Sequence, residues 1–483
     1  MSNLKIKIFT VLLAYSTCCL SQNNKLRIEA YPFESKSGIK VDAELGSFLV
    51  SEDRSLNESR RIELKFVRFK STNPNPGNPI VYLAGGPGGS GISTAQGPRF
   101  ELFMAMREIA DVIAFDQRGT GLSNHVPQCK TKAEFSLEEP GEWETYVSKM
   151  SEAAKKCLSF WKDEGVQVGG YTTTENANDL EALRKVINAP KINLWGISYG
   201  SHLAFDFINR YENSVDKVVL AGLEGPNHTI KLPKYNQNYL KHLDAKIKLD
   251  LTAVKAYPNL LLLMEEVLSN LDEKPVQAEM LDPRSGKTIK IGISKLDVQL
   301  VTSYFLTKNP ENAVKLPYLY HQMKSGDFSG VARMVSGIKS FAGRIQLMPL
   351  AMDAASGVSK KRWKQIKKQS EKSLLGRTTN FPFPDISLGL EIPNLGNSFR
   401  KNPVSAIPAL FFSGTLDGRT YIESAKELKK GFKNAQHIII DGAGHDMFMC
   451  TPRVKQLMLD FFSDKVISSE LIKISIPKFI MPN

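Results

Sequence analysis

The sequence predicts an α/β fold: a mostly parallel sheet, opened by antiparallel strands, that carries an inserted, mainly helical cap. Three patterns point to it. Short unbroken apolar runs recur between helical stretches, as strands covered on both faces require. Ahead of them stand segments in which apolar and polar residues alternate, the mark of half-exposed strands. Later, residues 226–407 show helical spacing with no further run of that strand type. Composition agrees, because 483 residues with 42% hydrophobic and 23% charged side chains fit a globule with a sizeable core and exclude a disordered, collagenous or coiled-coil chain.

Taken in order, residues 1–21 read as a secretory signal to be removed. Lys5 and Lys7 precede an apolar run over 8–20, too short to span a bilayer comfortably, and small Cys19 and Ser21 suit a cut before Gln22. Lipidation is the second choice, since Tyr15 stands where a lipid-bearing Cys18 would want leucine. With no later span, the mature chain is expected to be soluble and exported, periplasmic or extracellular, with no stable membrane insertion. The alternating segments 26–33, 41–50 and 62–69 predict antiparallel strands, and the runs 80–84, 112–115, 192–197, 218–220, 410–412 and 438–440 predict the parallel ones. Between two of these, a helix over 178–187 places Leu180, Leu183, Val186 and Ile187 on one face, with Thr174 as a cap upstream. The catalytic core is thus expected at 22–225 and 408–483, and the cap at 226–407.

Export admits disulfides. Of the cysteines beyond residue 21, Cys129 and Cys157 are the expected bridge and Cys450 the unpaired thiol, against the alternative of three free thiols. Lysine and arginine exceed aspartate and glutamate by 13, but the excess is dispersed, and no zinc-finger, RRM or P-loop pattern accompanies it, so no nucleic-acid partner is expected. The densest basic stretch, 360–377 around Trp363 and Ile366, reads as a solvated helix face. The sequence leaves the oligomeric state open.

The chemistry gathers after the parallel strands. Gly196, Ser198 and Gly200 form G-x-S-x-G directly after the 192–197 run and before a helical face of Leu203, Ala204, Phe207 and Ile208, the strand, turn and helix context of a nucleophile elbow. A serine hydroxyl needs a histidine base, and that base a carboxylate. His445 lies in the loop after the last apolar run, whereas His202 lies one turn beyond Ser198 and His437 at the wrong edge of the sheet. Asp417 follows the 410–412 run; Glu224, after 218–220, is the alternative acid. The chain order Ser198, Asp417, His445 is that of an α/β hydrolase. The glycine-rich loop 85–91 follows the 80–84 run and offers the Gly86 N–H, with Gly85 in reserve, as an oxyanion donor beside the Tyr199 N–H. It lacks the Lys-Ser/Thr of a phosphate loop and the acidic partner of a dinucleotide site. This chemistry calls for no cofactor and no metal.

Residues 85–91, 116–123, 196–200, Asp417 and 444–445 resemble the α/β hydrolase peptidases that include proline iminopeptidases and secreted tripeptidyl aminopeptidases, across roughly residues 25–465. The resemblance implies a peptide substrate, release of residues from its free N-terminus through an acyl-enzyme, a cap over the site and, in secreted members, a disulfide like Cys129–Cys157. Proline iminopeptidases carry His before Gly-Gly-Pro-Gly; here Ala84 stands there, which favours the tripeptidyl side. An aminopeptidase must hold an ammonium group, and Glu224 is the carboxylate best placed for it. Asp116 and Arg118 are expected to pair as a brace. A carboxylesterase with the same triad and a non-catalytic binding protein are the competing functions.

Overall fold

A computed structural model describes residues 25–282, 285–341, 343–467 and 471–482. The signal segment 1–21 lies outside them. Among the described residues, ten strands form one sheet in the order β1-β2-β3-β5-β4-β6-β7-β10-β11-β12. They are β1 (Arg27–Glu34), β2 (Lys40–Ser51), β3 (Arg61–Phe69), β4 (Ile80–Leu83), β5 (Val112–Asp116), β6 (Ile192–Ile197), β7 (Val215–Ala221), β10 (Ala409–Gly414), β11 (Ala435–Asp441) and β12 (Leu471–Lys473). The pairings β1–β2, β2–β3 and β3–β5 are antiparallel. From β5 onward every pairing is parallel. The sheet thus reverses in character where alternating segments give way to dense apolar runs: β4, β5, β6 and β10 are buried at every position.

Successive strand residues serve opposite faces. Val81 and Leu83 pack with the helices Thr173–Val186 and Tyr199–Tyr211, whereas Ile80 and Tyr82 pack with Phe100–Met106 and Pro452–Phe462. The helix read over 178–187 begins earlier, at Thr173. Its cap is Thr172, whose hydroxyl accepts from the Glu175 N–H, rather than Thr174, which lies inside it. β12 adds an edge strand beyond β11; its three residues, two of them exposed, carry too little pattern to be read in sequence.

Between β7 and β10 the chain is mainly helical, with one antiparallel hairpin of β8 (Val276–Leu281) and β9 (Thr288–Ile293) that the sequence reading passed over. The strict alternation of burial along β8 is the period-two signal that marks it. The insertion is no separate globule. Leu240, Leu300 and Leu350 join the same hydrophobic cluster as Leu83 and Leu203, so cap and core share one face of the sheet. Cys129 and Cys157 are bonded, with S–S 2.04 Å, and tie the segment after β5 to the helix Trp143–Asp163; Cys450 is a free thiol. In the basic helix Lys360–Ser370 the lysines are exposed, while Arg362 and Ile366 are buried. Among the described residues, no helix is long and apolar enough to cross a membrane.

Candidate active site

The turn from β6 into the helix Tyr199–Tyr211 is made by Ser198 at φ 57° and ψ −124°. A non-glycine residue held there costs roughly 1–3 kcal/mol and persists only where its surroundings over-determine it. They do. The Ser198 N–H donates to the Ala221 carbonyl at 3.0 Å, and its carbonyl accepts from the Ser201 N–H at 2.8 Å and the Ser201 hydroxyl at 2.6 Å. Backbones crowd around it: a Cβ on Gly200 would lie 2.1 Å from the Leu83 carbonyl oxygen, and one on Gly85 2.9 Å from that of Ile197. The glycine loop is thereby laid against the elbow. The Tyr199 amide, first in its helix, has no intrahelical acceptor, and Gly85, Gly86 and Gly89 border the same cavity as Ser198.

Asp417 and His445 arrive on the loops that follow β10 and β11. The Nδ1 atom of His445 lies 3.0 Å from each Asp417 carboxylate oxygen. That carboxylate also accepts from the Arg419 N–H at 2.8 Å, the Thr420 N–H at 3.0 Å and the Thr420 hydroxyl. Burial pushes the Asp417 carboxyl up, but the His445 ring and the Thr420 donors outweigh it, holding the group below its ordinary value and ionised. With Nδ1 so engaged, Nε2 is the ring nitrogen left for the cavity that His445 shares with Ser198. The cap reaches both loops. The Thr307 carbonyl accepts from Gly418 N–H at 2.9 Å and the Lys308 carbonyl from His445 N–H at 3.4 Å. A Cβ on Gly418 would stand 2.3 Å from the Thr307 oxygen, and one on Gly444 2.5 Å from Pro310 Cδ.

The two histidines set aside in the sequence, His202 and His437, are used elsewhere. His202 is buried between the Gly225 carbonyl and the Ser356 hydroxyl, and His437 meets the Ser413 hydroxyl at 2.9 Å. The expected pairing of Asp116 with Arg118 is not what the structure has. Asp116 accepts from the Ser90 hydroxyl and the Ile92 and Leu122 amides, pinning the glycine loop, whereas Arg118 turns away to Asp179 at 2.7 Å. The Asp116 oxygens are already taken by the donors of the glycine loop and the turn after β5, and Arg118 finds both oxygens of buried Asp179 and the Gly170 carbonyl instead.

Ser198 and His445 line a cavity of about 640 Å³ between core and cap. Glu224 lies in it, its Oε2 atom 2.7 Å from the Lys231 ammonium. Burial raises the Glu224 carboxyl, and Lys231, with His202 and Arg419 behind it, more than reverses this, so it is held low. The same cavity receives Asp353, from the cap helix Leu347–Ser356, and Arg419. Asp353 makes no hydrogen bond or ion pair through its carboxylate with any described residue; burial first, and then the charge of Glu224, raise it to about 7. Sequence reading missed it, as it missed Lys231 and Arg419. Its one signal is its place as the sole charged residue of an apolar helix, Leu-Met-Pro-Leu-Ala-Met-Asp-Ala-Ala-Ser. Among the described residues, no cluster of three or more His, Cys, Asp or Glu side chains could hold a metal ion.

This arrangement can be set beside known proteins. Residues 78–256 match the family model of the alpha/beta hydrolase fold, and residues 391–467 that of a TAP-like protein. The chain is 26% identical over 220 residues to Serine protease Hip1 of Mycobacterium tuberculosis, covering 44% of this chain and 39% of that one. It is 25% identical over 154 residues to the Tripeptidyl aminopeptidase of Streptomyces coelicolor, covering 31% and 28%. The matched stretch thus spans less than two-fifths of the length of these curated relatives. Among solved structures, Rv0554 from Mycobacterium tuberculosis aligns at a TM-score of 0.40 with 15% identity, over 87% of this chain and 100% of that one. The strand order, the elbow after β6 and the two family matches together give this chain the α/β hydrolase fold, with a segment toward its C-terminal end that matches the TAP-like model.

Proposed function

We propose that the chain is an exported serine aminopeptidase that releases a residue or short peptide from free N-termini through an acyl-enzyme. The observation that carries this reading is the unpaired Asp353 carboxylate in the cavity lined by Ser198 and His445. In the proposed cycle His445 takes the proton of Ser198, whose Oγ attacks the scissile carbonyl. The oxyanion is held by the Gly86 and Tyr199 amides, each donor worth roughly 3–4 kcal/mol by precedent. The C–N bond breaks as His445 returns the proton to the leaving amine, and water then repeats the sequence on the ester. Asp417 keeps the imidazole oriented and stabilises its charged form.

The substrate's ammonium is assigned to Asp353 with Glu224 beside it. Glu224 alone is a weaker candidate than the sequence suggested, because Lys231 already neutralises it. The test compares peptide amides with free and blocked N-termini against short-chain esters. Cleavage confined to free peptides, lost on N-acetylation, supports the reading; indifference to the N-terminus, with efficient ester hydrolysis, supports the carboxylesterase instead. Labelling by a fluorophosphonate that vanishes in Ser198→Ala separates both from a non-catalytic binding protein.

A further inference from the structure

A second cavity adjoins the catalytic one. It measures about 320 Å³ and is walled almost wholly by apolar side chains from several elements: Met150 from the core helix Trp143–Asp163, Leu300 and Ile338 from cap helices, and Leu350 from the helix that carries Asp353. Nothing in the catalytic chemistry needs it. Tyr304, Phe381, Pro382 and Phe383 line both cavities and form the partition between them. The Tyr304 hydroxyl donates to the Phe381 carbonyl, which satisfies the one polar group that this wall would otherwise turn toward the apolar side.

We infer that this cavity is a side-chain subsite, which receives a large apolar or aromatic side chain of the substrate on the acyl side of the scissile bond. The inference rests on the aminopeptidase reading and deepens it. Three features carry it. Three of the four partition residues belong to the segment Thr379 to Phe383, whose Asn380 is hydrogen-bonded to the backbone of Lys231, the partner of Glu224, so the subsite lies beside the place assigned to the ammonium. Its volume is about twice the ~150 Å³ of an apolar cavity known to take benzene, which gives room for a phenylalanine or leucine side chain and excludes none of the smaller ones. Of the residues that line it only Tyr304, Arg344 and Gln346 are polar and none is acidic, so a lysine there would be desolvated without a carboxylate partner.

Filling the cavity tests this. Ile338→Phe and Leu350→Phe each add volume there without touching Ser198, His445 or Asp417. Free-N-terminal tripeptide amides carrying Ala, Leu, Phe or Lys at each acyl-side position are assayed on native and filled proteins, with p-nitrophenyl esters of acetate and of longer acyl chains in parallel. The expected result is a preference of roughly 10- to 100-fold in kcat/KM for Leu or Phe over Ala at one position, which collapses in at least one filled variant while the Ala peptide is cleaved within about twofold of native. An unchanged preference in both variants, each folded by circular dichroism and active on the Ala peptide, overturns the subsite. So does the absence of any apolar preference. If peptides are not cleaved but the preference for long acyl esters collapses on filling, the aminopeptidase reading fails and the subsite stands.

Discussion

The two walls of the catalytic cavity are built from different material. The core wall is built on loops leaving β4, β6, β10 and β11, brought within contact distance by Gly85, Gly200, Gly418 and Gly444; they present the glycine backbone, Ser198 and His445 to the cavity, with Tyr82, Arg99, Glu224 and Arg419 beside them. The cap wall is side chains, Lys231, Tyr304, Asp353 and Phe381 to Phe383, drawn from separate elements. The difference has a physical sense. Fixed amide donors and a fixed nucleophile stabilise a transition state with little reorganisation, whereas charge and shape that select a substrate need side chains of varied kind. Substitutions of the catalytic groups and of the loops that carry them should therefore lower turnover of every substrate, and those of the charged and apolar side chains that face the cap should change the ratio between substrates.

The largest effect is expected in the core wall. Ser198→Ala, His445→Ala and Asp417→Asn should each reduce kcat/KM by about 10⁴-fold or more on peptides and esters alike, with folding unchanged by circular dichroism. A loss that differed widely between the two substrate classes would break the division.

Next comes the place where the walls touch. Gly444→Val and Gly418→Ala force a Cβ into Pro310 and the Thr307 carbonyl, so the loops bearing His445 and Asp417 must shift. Steady-state kinetics should show kcat lower by roughly 10- to 100-fold for both substrates, with KM changed little, because misplacement of a catalytic group acts on the chemical step. An effect on KM alone would mean that the cap contact serves binding.

A smaller and selective effect is expected of the acids. Asp353→Asn should lower kcat/KM for free peptides by about 10-fold and leave short esters nearly unchanged; Glu224→Gln should do the same more weakly, Lys231 being its partner. Asp353 is neutral below about 7 and ionised above it. The peptide-to-ester ratio of kcat/KM should therefore rise as pH passes up through about 7 and fall again once the substrate amine loses its proton near ~8. Taking the ratio removes the titration of the catalytic base. A flat ratio in the native protein, or the same rise in Asp353→Asn, would reject ammonium recognition by this residue.

The smallest effect on activity is expected at the disulfide, far from either wall in role. Cys129→Ser with Cys157→Ser should cost about 3–4 kcal/mol in denaturant unfolding, from the loop of 28 residues that the bond closes, and leave the substrate ratio unchanged.

Legibility followed the same boundary between the walls. The dense run before Ser198 and the loops holding Asp417 and His445 were readable because each is a local pattern, a strand followed at once by its turn, and a parallel sheet delivers all such turns to one edge. The alternation in β1 to β3 and the unbroken apolar runs of β4 to β6 gave the sheet's direction for the same reason. What sequence could not supply was distance between elements. Asp353 lies in a helix that reads as ordinary core, Lys231 meets Glu224 across a loop, and Arg118 prefers Asp179, 61 residues away, to its near neighbour Asp116. Hydrophobic periodicity fixes which face of an element is buried, but it carries no record of which other element covers that face. So Ser198, His445 and Asp417, the proposed nucleophile, base and acid, could be picked out from sequence, whereas Asp353, the carboxylate proposed for the substrate's ammonium, and the apolar cavity beside it were decided only by how the cap packs over the sheet.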